Sequence, residues 1–117
     1  MNPVRAWWRE NRETTQHYYN NVMQWWGEAP ADASAEICRE IINRHLASPA
    51  MLTILPLQDW LSIDGNIRFA DPEAERINVP ANPTHYWRYR MHLTLEQLLA
   101  AEEFNKEVAY LVRANYR

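Results

Sequence analysis

Fifteen consecutive residues, Arg76-Ile-Asn-Val-Pro-Ala-Asn-Pro-Thr-His-Tyr-Trp-Arg-Tyr-Arg90, hold two Asn, two Pro, three Arg, one His and three large aromatic rings. Amide and imidazole groups donate and accept hydrogen bonds, and flat rings cover apolar faces, so this set of side chains suits a polyhydroxylated ligand such as a sugar. The same residues also read as a long structured loop pinned by its own aromatics. Pro80 and Pro83 remove two backbone donors and push Val79 and Asn82 toward extended conformations, which excludes regular structure on either reading.

The carboxylates near this segment are Asp59, Asp64, Asp71, Glu73 and Glu75. In Pro56-Leu-Gln-Asp59, the Asp is better placed to brace the following turn than to meet substrate. Asp71, Glu73 and Glu75 read as a solvated loop face. Four scattered His and a single Cys give no metal-ligand spacing, so no metal site is expected. Cys38, without a partner, forms no internal disulfide and fits a reducing cytosol.

The elements that must position these groups follow from periodicity. Residues 5–13 and 14–26 read as helical, with Thr15, Tyr18, Tyr19, Val22, Met23 and Trp26 on one stripe. Gly27 and Pro30 stop that helix. A second helix is predicted from Asp32 or Ser34 to Leu46 or Ala47. Ile37, Cys38, Ile41, Ile42 and His45 form its inward face, His45 as a satisfied core histidine. The short apolar run 51–56, bounded by proline on both sides, predicts a buried parallel strand, although periodicity alone also admits a helix segment. A long loop over 63–92 follows. Thr94-Leu-Glu-Gln97 then predicts a capping box and a last helical region through Leu95, Leu98, Phe104, Val108, Leu111 and Val112. The doublets Trp7-Trp8 and Trp25-Trp26 sit on helical periodicity and are expected to pack rather than to bind.

At 117 residues and a formal net charge of −3, the chain has room for one small domain and carries no electrostatic footprint for nucleic acid. No apolar run approaches the ~20 residues of a membrane span, and the first residues lack the core of a signal peptide. Six Trp and six Tyr against two Phe are a heavy load for a free-standing domain, and some of these rings are expected to face a missing partner or a ligand.

Four ordered blocks carry a resemblance: Arg5-Ala-Trp-Trp-Arg-Glu-Asn-Arg12, His45-Leu-Ala-Ser-Pro-Ala-Met51, Leu55-Pro-Leu-Gln-Asp-Trp-Leu61 and the Arg76–Arg90 segment. Together they resemble the C-terminal part of the 4-alpha-glucanotransferases of glycoside hydrolase family 77, in the branch of the plant cytosolic and Bacteroidetes-type enzymes. The resemblance implies an α-rich fragment of a (β/α)8 TIM barrel, a single incomplete domain over 1–117, with its one barrel strand near 51–56. It implies a cytoplasmic enzyme that uses neither metal nor organic cofactor. Its partners would be a maltooligosaccharide or alpha-glucan and the remainder of the catalytic barrel, with no nucleic acid and no membrane. It also places all three catalytic carboxylates upstream of the residues present here, so no catalytic residue is assigned in this chain and the chain alone is expected to be inactive. Substrate contacts carried over by the comparison are Asn78, Thr84 and His85, with Trp87 as a stacking ring. The alternative from another class is a small glucan- or protein-binding module derived from that family.

Overall fold

The computed structural model describes residues 2–77, 81–84 and 89–117. Its first helix, α1 (Val4–Glu10), begins after Pro3. The Val4 amide, unpaired within the helix, donates to Asp59 Oδ1 at 2.8 Å, 55 residues along the chain. Asn11 breaks the run in an extended conformation, and its side chain caps α2 (Arg12–His17) by accepting from the Thr14 amide.

The predicted helix through Trp26 stops early. Beyond His17 the helix widens into a π-turn over Tyr18–Val22, with the Met23 amide donating to the Tyr18 carbonyl. Gln24 then adopts φ 60° and Gly27 φ 92°, which reverses the chain. Asn20 Nδ2 holds the reversal by donating to the carbonyls of Trp25 and Gly27. Thr15 and Met23 are therefore buried as the stripe predicts, whereas Val22 and Trp26 are exposed.

Helix α3 (Ala35–Ala47) starts at Ser34, whose hydroxyl accepts from the Ile37 amide, in agreement with the sequence. It divides two hydrophobic clusters. Ile37, Cys38 and Ile41 join Trp8, Met23, Ala29 and Ala33, with Trp7, Tyr18, Tyr19 and Trp25 packed against them. Ile42 and Leu46 join Leu61, Ile63, Phe104 and Leu111. His45 departs from its expected place: it is exposed, with Nδ1 against the Ile41 carbonyl of the preceding turn.

The run 51–56 lies outside any helix or sheet among the described residues, with Met51 in a bend, which corrects the predicted strand. A strand exists only where a neighbour takes its backbone groups, and none is within the chain described. Pro56 ends the run and opens the short α4 (Leu57–Leu61). The loop predicted over 63–92 contains one 3-10 turn, Pro72–Glu75, capped by Asp71 accepting from the Glu73 amide.

Thr94 and Gln97 form the predicted capping box at α5 (Leu95–Ala100). Ala101 then interrupts the helix before α6 (Glu102–Ala114). The C-terminus closes back on α3. Asn115 Nδ2 donates to Asn43 Oδ1, and the Arg117 guanidinium donates to the carbonyls of Leu46 and Ser48. A cation on these last carbonyls meets the negative end of the α3 dipole.

Candidate functional site

The segment singled out by the sequence is held by its stems. On the outgoing stem, Phe69 lies 4.1 Å from the His92 ring and 6.0 Å, edge to face, from Tyr89 on the returning stem. His92 Nε2 donates to the Ile67 carbonyl at 2.5 Å, which ties the same two strands of chain again. Of the four predicted substrate contacts, Thr84 is described. It is exposed, and Asn82 Oδ1 accepts from both its amide (3.0 Å) and its hydroxyl (2.8 Å). That turn fixes the hydroxyl proton and leaves the oxygen's lone pairs facing solvent. Asn78, His85 and Trp87 lie outside the described residues.

Below the stems sits a buried polar knot that the sequence did not announce. Arg5, on α1, is buried and donates from Nη1 to the Phe69 carbonyl at 2.6 Å and to Glu75 Oε1 at 2.9 Å, and from Nη2 to the Ala70 carbonyl at 3.5 Å. Gln58 Nε2 adds a bond to the Glu75 carbonyl. Glu75 is 1% exposed, so it is not part of a solvated loop face as its neighbours Asp71 and Glu73 are. Burial pushes its carboxyl above the ordinary range, opposed by the Arg5 charge and hydrogen bond. Glu75 Oε2 and Tyr89 Oη are buried without a hydrogen-bond partner.

Asp59 is buried too, and it braces α1 rather than its own turn. Burial raises its pKa, opposed by the Val4 amide and the charge of His45. Both carboxylates are thus committed to architecture: one caps a helix, the other neutralises a guanidinium. Among the described residues no three His, Cys, Asp or Glu side chains come together to hold a metal.

The tryptophan doublets divide. Trp8 is buried and donates from Nε1 to the Pro30 carbonyl at 2.8 Å, and Trp7 and Trp25 pack against the same cluster. Trp26 is 95% exposed, which the packing expectation did not foresee. Trp7 also lines a groove of about 280 Å³ with Tyr18, His45, Leu55 and Asp59. A second groove of about 270 Å³, along Ile54, Leu55 and Pro56, shares Asn2 and Leu55 with the first. Both run beside the unpaired 51–56 segment.

What the sequence missed was the pairing of Arg5 with Glu75. A signal existed in part: Arg5 stands between Val4 and Ala6 and one turn from Trp8, on a helix face that must be buried. A cation on such a face needs a carboxylate. Nothing in the sequence says which carboxylate, because the partner lies 70 residues away.

Comparison with known proteins assigns the family. A 4-alpha-glucanotransferase family model matches residues 1–95. The rice (Oryza sativa subsp. japonica) protein named 4-alpha-glucanotransferase DPE2 is 34% identical over 114 residues, which is 97% of this chain and 12% of that relative's length. No solved structure matches the chain. Among the described residues no helix is long and apolar enough to cross a membrane. With a match over most of its length and the ordered blocks of its sequence in place, the chain belongs to the 4-alpha-glucanotransferases of glycoside hydrolase family 77.

Proposed function

We propose that this chain supplies the C-terminal part of a (β/α)8 catalytic barrel, a single incomplete domain over 1–117, in a cytoplasmic enzyme. That enzyme moves alpha-1,4-glucan segments between maltooligosaccharides. The family assignment carries this reading. The 51–56 segment supports it: Met51, Leu52 and Ile54 are 91%, 75% and 83% exposed, as apolar side chains are when the neighbours that would cover them are absent. The remainder of the barrel would be the neighbour that covers these side chains.

In a retaining transfer, one carboxylate attacks the anomeric carbon while a carboxylic acid protonates the leaving oxygen, and an acceptor sugar hydroxyl later displaces the enzyme. Asp59 and Glu75 are unsuited to either role, since each is buried in a structural bond. The reacting carboxylates come from the rest of the enzyme, and this chain contributes binding surface: Asn78 and His85 for hydroxyls, Thr84 through its outward lone pairs, and Trp87 as a stacking ring. No metal or organic cofactor is needed for such a step.

A hybrid tests the proposal. Replacing the 114 aligned residues of the rice protein with this chain should give an enzyme that converts maltotriose to glucose and longer oligomers, while this chain alone gives neither. A soluble, folded hybrid without transfer, or transfer by the chain alone, would overturn it.

A further inference from the structure

Among the described residues, the hydrogen bonds of Arg5 go to one stretch of chain, Phe69 to Glu75, the outgoing stem of the 76–90 segment. Phe69 in turn carries the ring contacts to Tyr89 and His92 on the returning stem. One guanidinium therefore holds the outgoing stem directly, and the returning stem is tied to that stem by the Phe69 ring and by the His92 bond to the Ile67 carbonyl. Its own helix is fixed independently, because Asp59 caps the Val4 amide one residue earlier. The planar fork donates in three directions at once, to two carbonyls and a carboxylate, which a lysine's point charge does not reproduce.

We propose that Arg5 is a positioning residue: it sets how the outgoing stem, Phe69 to Glu75, seats on the helical body, and so where the chain enters the 76–90 segment. The inference rests on the reading of that segment as glucan-binding only for its functional consequence. The positioning itself stands on the Arg5 contacts. Glu75 neutralises the guanidinium at the end of the 3-10 turn. Arg76 follows directly and pairs with Glu73 at 2.7 Å and Glu10 at 3.6 Å.

Trypsin reads this in the full chain, since Arg76, Arg88 and Arg90 mark the segment while Arg44 and Arg113 report on α3 and α6. Arg5→Lys keeps the charge and loses the fork. It should raise cleavage after Arg76 and Arg90 by about tenfold over wild type, with cleavage at Arg44 and Arg113 unchanged, because proteolysis follows local opening. Glu75→Gln, which keeps an acceptor for Arg5 but no charge, should give the same pattern at about two- to threefold and serves where Arg5→Lys does not fold. Equal acceleration at all sites, or none at the segment, would overturn the proposal. Adding maltoheptaose separates the two readings. Protection of Arg90 in wild type that is lost in Arg5→Lys supports both. Accelerated cleavage in the variant without sugar protection in wild type keeps the positioning role and removes glucan binding by this chain.

Discussion

The two hydrophobic clusters on either side of α3 are built by different physics. The first is aromatic and directional: Trp7 meets Trp8 and Tyr18 edge to face, Tyr19 meets Trp8 and Trp25, and Trp8 anchors its indole to the Pro30 carbonyl. The second is aliphatic, made of Ile42, Leu46, Leu61, Ile63 and Leu111 with one Phe, and shape alone holds it. The difference follows their duties. The first cluster carries α1, from which Arg5 and the Asp59 cap fix the outgoing stem, so its orientation is transmitted. The second fastens the C-terminal helices α5 and α6 to α3 and meets the stems only through the apolar side chains of Ile67, Met91 and Leu93, so among the described residues it carries no hydrogen bond to the outgoing stem near Arg76.

Trp8→Ala should open the widest gap between the two. It deletes a side chain that is 1% exposed, breaks the Pro30 bond and removes two ring contacts, a loss of about 3–5 kcal/mol. Leu111→Ala, equally buried in the second cluster, should cost about 2–5 kcal/mol from cavity formation alone. Denaturant unfolding gives both numbers. The contrast is in the stems: with Trp8→Ala, trypsin cleavage after Arg76 should rise beyond what lost stability explains, and with Leu111→Ala it should not. Equal behaviour at Arg76 for matched stability losses would show that the aromatic cluster transmits nothing.

The aliphatic region was the more legible of the two. Local signals fixed its parts: Ser34 and Thr94 were readable as caps, and the spacing of Phe104, Val108 and Leu111 gave a helix whose buried face is the predicted one. The aromatic region followed its stripe through Tyr19 and again at Met23, but not at Val22 or Trp26. Beyond Tyr19, the Asn20 amide found two carbonyls in the reversed chain, and these tertiary bonds overrode a helical periodicity that continues on paper to Trp26. The 51–56 strand failed for the opposite reason. Its composition encodes a partner, and pairing cannot form without one. Of the candidate site, the residue types of the loop were legible, whereas Asp59 was read as a brace for its own following turn and instead holds the Val4 amide of α1. The Arg5–Glu75 knot was not, since a pairing across 70 residues leaves no periodic trace.

A smaller effect sharpens the picture of the aliphatic side. Thr94→Ala removes the hydroxyl that accepts from the Gln97 amide and leaves Gln97 half of its reciprocal box. The cap is exposed, so the loss should be about 1 kcal/mol. It should appear first as faster amide exchange in Leu95–Ala100, with Phe104 and Leu111 still protected because Ala101 already separates α5 from α6. Simultaneous loss of protection in both helices would mean that the second cluster is one cooperative unit from Leu95 to the end.

The smallest effect concerns sign rather than size. Burial holds the Asp59 carboxyl above its ordinary value, against the opposing pull of the Val4 amide and the His45 charge. The folded state then holds this proton more tightly than the unfolded chain does. Its contribution to stability is fully present below the unfolded pKa and is lost as pH rises through the folded one. Asp59→Asn keeps an oxygen for the Val4 amide and has nothing to titrate. Between pH about 7 and about 4, just above the unfolded carboxylate value, wild type should therefore gain stability relative to Asp59→Asn as the solution is acidified. Glu75 is raised in the same direction in both proteins, and the part of that rise owed to the Asp59 charge is lost in Asp59→Asn, which adds to the difference with the same sign. Urea midpoints at the two pH values decide it. A relative loss on acidification would mean that the Val4 bond and His45 outweigh burial, so that the α1 cap works as a charged carboxylate on a helix N-terminus. The aromatic side would then be braced by electrostatics where the aliphatic side is braced by shape.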